Sequence, residues 1–145
     1  MDKVSKIMSK KVKTVSKDDI AVTAAKTMLN KNVSCVVVVD RGIVEGIVTE
    51  RDLAVKILSH KNRASDVKVE DIMTSPVFTL SPDKDVYYCS EIMRKNGIKK
   101  LPIVRGKRLV GIVTQTDILD YFRDQRKKFV LKHLSREHRK SYPVV

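Results

Sequence analysis

Apolar positions along the chain form short runs and short helical periods, and their order recurs. Val12–Val15 is a brief apolar segment of strand type. Ser16 follows as an N-cap candidate, then Ala21, Ala24, Ala25 and Met28 at helical spacing. Cys35-Val36-Val37-Val38-Val39 has the length and β-branching of a strand. Asp40-Arg41-Gly42 signals a hairpin turn, Ile43–Val48 returns as a second strand, and a helix opens at Thr49. The same succession follows in Val77–Leu80, then Ser81 as N-cap with Pro82 at the first helical position. Val86, Cys89, Ser90 and Met93 mark the helix, Leu101–Val104 and Leu109–Val113 the hairpin around Arg105-Gly106-Lys107, and Thr114 the next helix start. The order β-α-β-β-α thus occurs twice, which predicts an α/β or α+β fold with mixed strand directions.

Displacing the chain by 65 positions lays residues 4–58 on residues 69–123 without a gap, with 14 identities in 55 aligned positions. Gly-Ile-Val-Thr-x-x-Asp falls at the same place in both, as Gly46–Asp52 and Gly111–Asp117. A unit of this size is marginal as a free domain, so the two are expected to bury their apolar faces against each other. The expected organisation is a first repeat over 1–58, a polar linker over 59–68 containing His60, Asn62 and Ser65, a second repeat over 69–123 and a tail over 124–145.

The tail changes the picture through its charge. The chain carries 30 Lys+Arg against 17 Asp+Glu, net +13, and the tail holds seven of those bases and two of the acids. Phe122, Phe129, Leu131 and Leu134 recur among Arg126, Lys127, Lys128 and Lys132. The pattern predicts one long basic amphipathic helix continuing the last helix of repeat two and stopped at Ser141-Tyr142-Pro143. Its charge fits either a solvated helix face or a polyanion contact. Aromatic residues are 5% of the chain and supply no stacking platform for bases.

Several classes are excluded. No apolar run approaches the roughly 18–20 residues of a membrane span. The segment from Met1 has no apolar core of a secretory signal, so a cytosolic setting with reduced thiols is expected for Cys35 and Cys89. These cysteines, 54 positions apart, have no metal or redox spacing. There is no glycine-rich phosphate loop of either common type. His60, His133 and His138 lie in the linker and tail, away from both Thr-x-x-Asp motifs, and no nucleophile–base–acid set suggests itself. Cys35 among valines reads as a buried, inert thiol. No catalytic or metal-ligating residue is identified, and the chain is not expected to be an enzyme.

Thr-x-x-Asp at a strand-to-helix junction admits two readings. It spells a capping box, with the acid favoured by the helix dipole. It also places a carboxylate where a ribose cis-diol could donate two hydrogen bonds, beside amides and hydroxyls suited to phosphate oxygens. Thr116 adds a hydroxyl next to Asp117, and Arg51 stands at the equivalent place in repeat one. Met8-Ser9 and Met73-Thr74 lead the repeats, Ile98-Lys99-Lys100-Leu101-Pro102 precedes a strand, and the two Gly-Ile-Val-Thr-x-x-Asp elements complete the set. Together these resemble a tandem pair of CBS domains over residues 1–123. The resemblance implies a regulatory module, its tandem repeats packed as a pseudo-twofold pair with two mixed clefts for adenosine-containing ligands: AMP, ADP, ATP, S-adenosylmethionine or NAD-type molecules. It implies one cleft from Ile47, Thr49 and Asp52 with Val77, Phe78, Ile98, Lys99 and Lys100. It implies a second from Ile112, Thr114, Thr116 and Asp117 with Val12, Lys13, Val33, Ser34 and Cys35. In repeat one Val37 replaces Pro102 and Cys35 replaces Lys100, so the Asp117 cleft is expected to lack the lysine pair, and the Asp52 cleft is favoured for a multiply charged nucleotide. The resemblance also implies back-to-back homodimers, which the apolar Leu53, Ile57, Leu58, Ile118, Leu119, Tyr121 and Phe122 would serve. The tail helix is expected to border the partner copy, with a frayed terminus as the alternative. A nucleic-acid-binding protein that uses the CBS pair as a dimerisation scaffold is the second functional reading, and an unidentified protein partner would receive the signal.

Overall fold

The computed structural model describes residues 1–59 and 63–141. His60 and Asn62 of the linker, and Tyr142-Pro143 of the expected helix stop, lie outside them. Repeat one contains β1 (Thr14–Val15), α1 (Ala21–Lys31), β2 (Cys35–Asp40), β3 (Ile43–Thr49) and α2 (Glu50–Asp52), which runs on as a π-turn over Leu53–Ile57. Repeat two contributes α3 (Val69–Ile72), α4 (Val86–Asn96), β4 (Lys100–Arg105), β5 (Arg108–Thr114), α5 (Gln115–His133) and α6 (Arg136–Ser141).

The strands form one sheet in the order β1-β2-β3-β5-β4. Each hairpin is antiparallel, and the two meet only near their tips, at Ile43 opposite Arg108. The turn Arg41-Gly42 has positive φ at both residues, 50° and 83°, the geometry that matches strand twist in a two-residue hairpin. Val36 and Val38 point into the core of α1, while Cys35 and Val37 pack with Ile47 and Ile112 between the repeats. Both sheet faces are therefore covered, which is why β2 reads as an unbroken apolar run and not as an alternation.

Three expectations are corrected. Ser16 and Ser81 cap no helix: their hydroxyls accept hydrogen bonds from the amides of Asp18 and Asp83 in local turns. Each helix starts later, after Ile20 and after Asp85, whose carboxylate caps Tyr88 N–H. The strand expected over Val77–Leu80 shrinks to a single bridge, Leu80 to Ile103. Its mate β1 is held in part by Val37 N–H donating to the Lys13 carbonyl. Pro102 stands at the place of Val37 and has no N–H, so the corresponding bond to the Phe78 carbonyl cannot form. The tail is not one helix: α5 ends at His133, Leu134 turns extended, and Ser135 accepts from His138 N–H at the start of α6.

The sequence repeats are not the packing units. Val4 lies in the core of repeat two with Val86, Leu101 and Ile103, whereas Val67, Val69 and Ile72 lie in the core of repeat one. The polar linker thus contains, one residue before its end, Val67, which is fully part of a core. The exchange is symmetric. Val4 N–H donates to Lys84 O and Val69 N–H to Asp19 O, while Ala21 and Val86 N–H donate to Val67 O and Asp2 O. Further on, Ser9 and Ile112 exchange two backbone bonds, as do Thr74 and Ile47. The glycine of each motif permits this crossing. A Cβ at Gly46 would stand 2.9 Å from the Thr74 carbonyl oxygen, and one at Gly111 would stand 2.7 Å from Met8 Sδ and 3.0 Å from the Ser9 carbonyl oxygen.

Candidate functional site

Both Thr-x-x-Asp motifs fold into complete capping boxes. Thr49 N–H and Oγ1–H donate to Asp52 Oδ2 at 2.8 and 3.1 Å, and Asp52 N–H returns a bond to Thr49 Oγ1. Thr114 and Asp117 repeat this at 2.7 and 2.9 Å. One carboxylate oxygen of each aspartate is thus committed to starting its helix, and function at either site must use the other oxygen.

The second oxygens differ. Asp52 Oδ1 receives Lys56 Nζ at 3.0 Å and the Thr74 hydroxyl at 3.4 Å, and Asp52 is buried. For Asp117 Oδ1, no hydrogen-bond partner or cation occurs among the described residues. Asp117 sits on the wall of a cleft of about 420 Å³ between the repeats, within the size range of small-molecule sites. All nine residues expected in the Asp117 cleft are on that wall. Ile112, Thr114, Thr116 and Asp117 come from the β5–α5 junction, Val12 and Lys13 from the approach to β1, and Val33, Ser34 and Cys35 from the end of α1 into β2.

Lys99 and Lys100 line this same cleft, together with Lys11 and Lys13. The expectation that the Asp117 cleft lacks the lysine pair is therefore corrected. They reach it because β4 pairs with β5 at Lys100 opposite Thr114, so the start of β4 adjoins the start of α5. Four cations and one carboxylate on this wall give it a positive balance of charge. The first-turn amides of α5 contribute less than a bare helix start would. Gln115 N–H donates to the Lys99 carbonyl and Asp117 N–H to Thr114 Oγ1. Hydroxyls and ammonium groups are the principal donors left.

Apart from Lys99 and Lys100, the set expected around Asp52 is not on this wall. Ile47 and Val77 pack in the cluster between the repeats, Phe78 is half exposed, and Thr49 and Asp52 are held as described. Ile98 packs against the core of repeat two. Burial pushes the Cys35 thiol up to about 11, against an opposing influence of Lys100, and burial alone lifts Cys89 to about 11. Both stay protonated and unreactive near neutral pH. No group of His, Cys, Asp and Glu among the described residues could hold a metal ion, and no described helix is long and apolar enough to cross a membrane.

Sequence reasoning passed over Ser9, Lys11, Asn32 and Gln115, which complete the cleft wall. Ser9 was legible as the repeat mate of Thr74. Lys56 was legible too, because four residues after an aspartate is the spacing of a helical ion pair.

Two copies of one β-α-β-β-α unit that exchange their leading segments and enclose a basic cleft define a duplicated α/β module. The chain belongs to the CBS domain family, whose model matches residues 4–59 and 69–124, and a CBS pair is a regulatory module. It is similar to the uncharacterized protein MK0525 of Methanopyrus kandleri, with 37% identity over 118 residues covering 80% of this chain and 60% of that one. This chain therefore spans about 60% of that relative's length. Among solved structures it resembles the CBS domain pair of protein MJ0100 in complex with 5′-methylthioadenosine and S-adenosyl-L-methionine. That match has a TM-score of 0.78 at 32% identity, over 86% of this chain and 98% of that one. It also resembles the hexameric CBS-CP12 protein from bloom-forming cyanobacteria, with a TM-score of 0.74 at 28% identity, over 82% of this chain and 70% of that one.

Proposed function

We propose that the chain is a regulatory sensor of phosphorylated adenosine ligands, AMP, ADP or ATP, taken in the Asp117 cleft. The observation that carries this reading is the convergence of Lys11, Lys13, Lys99 and Lys100 on the wall that holds Asp117. Asp117 Oδ1 accepts from the ribose hydroxyls, Thr114 and Thr116 stand beside it, and the lysines receive the phosphates. Val12, Val33 and Ile112 supply apolar wall for the base. The ligands of MJ0100 are adenosine-containing, which supports the nucleoside part of the reading. S-adenosylmethionine carries a sulfonium cation, and four lysines disfavour it relative to a phosphate ester. Because the cleft is built from both repeats, an occupied cleft differs from an empty one in the spacing between them, and a protein partner can read that difference.

The sensor acts as a homodimer in this reading. An apolar groove of about 760 Å³ runs between α1 and the π-turn, past Leu29, Leu53 and Leu58. Its repeat mate between α4 and α5 passes Met93, Ile118 and Leu119. Leu29, Leu58 and Leu119 are exposed, and a second copy would cover them. Phe129 on α5 is also exposed and extends this surface into the tail. A contact of the tail with nucleic acid rests on exposed Arg126, Lys128, Lys132, Arg136 and Lys140; none of these is on the wall of the 420 Å³ cleft, although Lys128 shares a smaller groove along α5 with Asp117.

Calorimetric titration with AMP, ADP, ATP, NAD and S-adenosylmethionine at two salt concentrations tests the proposal. Adenosine phosphates should bind, more weakly at high salt, and Asp117→Ala should weaken the binding roughly ten- to a hundred-fold. Equal affinity in the wild type and the Asp117→Ala protein would sink it. Polyanion binding that depends on residues 124–145 and not on Asp117 would favour the nucleic-acid reading.

A further inference from the structure

The two repeats offer two aspartates of the same design, yet only one has an oxygen to give. In repeat one, Lys56 Nζ lies 3.0 Å from Asp52 Oδ1 and donates to the Ile72 carbonyl at 2.8 Å. The Thr74 hydroxyl reaches the same Oδ1 at 3.4 Å. All four contacts of the Asp52 carboxylate are internal to the chain: Thr49 N–H and Oγ1–H on Oδ2, Lys56 and Thr74 on Oδ1. Ile72 belongs to the exchanged leading segment, so Lys56 ties together the helix start and the segment crossing it.

The backbone around Lys56 is unusual in the same place. The helix that opens at Thr49 widens into a π-turn over Leu53–Ile57, whereas Gln115–His133 is regular α-helix through the equivalent stretch. π-turns occur as isolated irregularities and gather at functional positions. The repeat mate of Lys56 is Tyr121, whose hydroxyl donates to Asp2 at 3.1 Å and leaves Asp117 alone. Sequence and backbone therefore diverge together, at the one side chain that closes Asp52.

We infer that Lys56 is a built-in plug of the repeat-one ribose anchor, so that each chain takes one adenosine phosphate, at Asp117, and not two. The plug is an intramolecular ammonium occupying the carboxylate oxygen that a ribose diol would need. This inference rests on the reading of Asp117 as a ribose anchor. It adds that Lys56 is the charged and closer of the two groups on Asp52 Oδ1, the Thr74 hydroxyl being the other, and that removing the ammonium frees the oxygen for a ribose.

The test counts sites with AMP as the probe, by calorimetry on the full chain, with folding checked by circular dichroism. Lys56→Met removes the ammonium and keeps the stem, and Lys56→Ala removes both, so either variant that folds serves. The wild type should bind one AMP per chain and Asp117→Asn none. Lys56→Met/Asp117→Asn should regain one AMP per chain, and adding Asp52→Asn should abolish it. Binding of one AMP by Asp117→Asn with Lys56 intact would overturn the plug, because the Asp52 site would then be open. A folded Lys56→Met/Asp117→Asn protein that binds nothing would overturn it equally. If the wild type is silent but Lys56→Met binds one AMP, the plug stands and the reading of Asp117 falls. If both are silent, both fall.

Discussion

The two halves of the molecule agree along the seam where their segments cross, and part in the first strand and one turn beyond each cap. Each capping box, each glycine crossing and each exchanged leading segment has a counterpart 65 residues away with nearly the same bond lengths. One turn beyond the cap the halves separate: Lys56 closes on Asp52, while Tyr121 turns to Asp2. A duplicated fold keeps what the seam between its copies requires, because a change there disturbs both copies at once. Side chains off the seam are free to diverge, and of two equivalent carboxylates one is engaged by a lysine and the other is not.

The largest expected effect tests the claim of a symmetric seam. Gly46→Val and Gly111→Val each place a side chain against a backbone carbonyl and a methionine on the crossing segment. Overpacking of this kind costs about 1–3 kcal/mol. The two losses should be alike in denaturant unfolding. A cost at Gly111 with none at Gly46 would show that the seam is not symmetric, since Met73 and Thr74 could then give way where Met8 and Ser9 cannot.

The next effect should be unequal between the halves. Asp117→Ala removes a charged acceptor from the ligand and should weaken AMP binding by about 1.5–3 kcal/mol, roughly ten- to a hundred-fold. Asp52→Ala should leave AMP affinity near the wild-type value. It should lower stability by about 1–2 kcal/mol, because the helix loses its cap and Lys56 loses its partner. Titration and urea unfolding of the same two proteins check both statements. Loss of affinity in Asp52→Ala comparable to that in Asp117→Ala would make the sites equivalent after all.

The lysines sharpen the same contrast. Lys99→Ala/Lys100→Ala should lower affinity for ATP more than for adenosine, and the difference should shrink as salt is raised. Equal losses for the two ligands would mean that Lys99 and Lys100 line the cleft without meeting phosphate.

How far the sequence could be read follows from the range of the interactions involved. The repeat, the hairpins and the Thr-x-x-Asp caps were legible because each is local: Arg41-Gly42 and Thr49–Asp52 carry their own geometry. The false helix starts at Ser16 and Ser81 were local too, but the same hydroxyl serves a turn as readily as a cap, and the choice fell to the turn. The loss of the strand at Val77–Leu80 was readable only by pairing Pro102 with Phe78 across the sheet, which requires the register. The family resemblance assigned Lys99 and Lys100 to the Asp52 cleft, whereas the register of β4 on β5 places them at Asp117. The exchange of Val4 and Val69 between cores left no mark in either segment, because both copies have the same residue there.

The smallest effect belongs to Tyr121, the residue that stands where Lys56 would be. Its hydroxyl donates to Asp2, which also pairs with Lys6 at 3.1 Å. The Lys6 ammonium first, and the Tyr121 hydroxyl second, hold the Asp2 carboxyl below the usual carboxylate range. A lowered value means that the ionised form is favoured by folding. The stabilising contribution is complete above the ordinary carboxylate range and is lost as pH falls through the lowered value of the folded state. Asp2 and Lys6 are exposed to solvent, so Asp2→Asn should lower Tm at neutral pH by no more than about 2 °C. That difference should close as the wild type is taken to acid, and a gap that persists once the Asp2 carboxyl is protonated would assign the loss to packing and not to charge. Tyr121→Phe should share the small loss at neutral pH and leave AMP affinity unchanged. If Tyr121→Phe instead weakens AMP binding, the hydroxyl supports the Asp117 site through its own helix. Position 121 would then be a second functional difference between the halves.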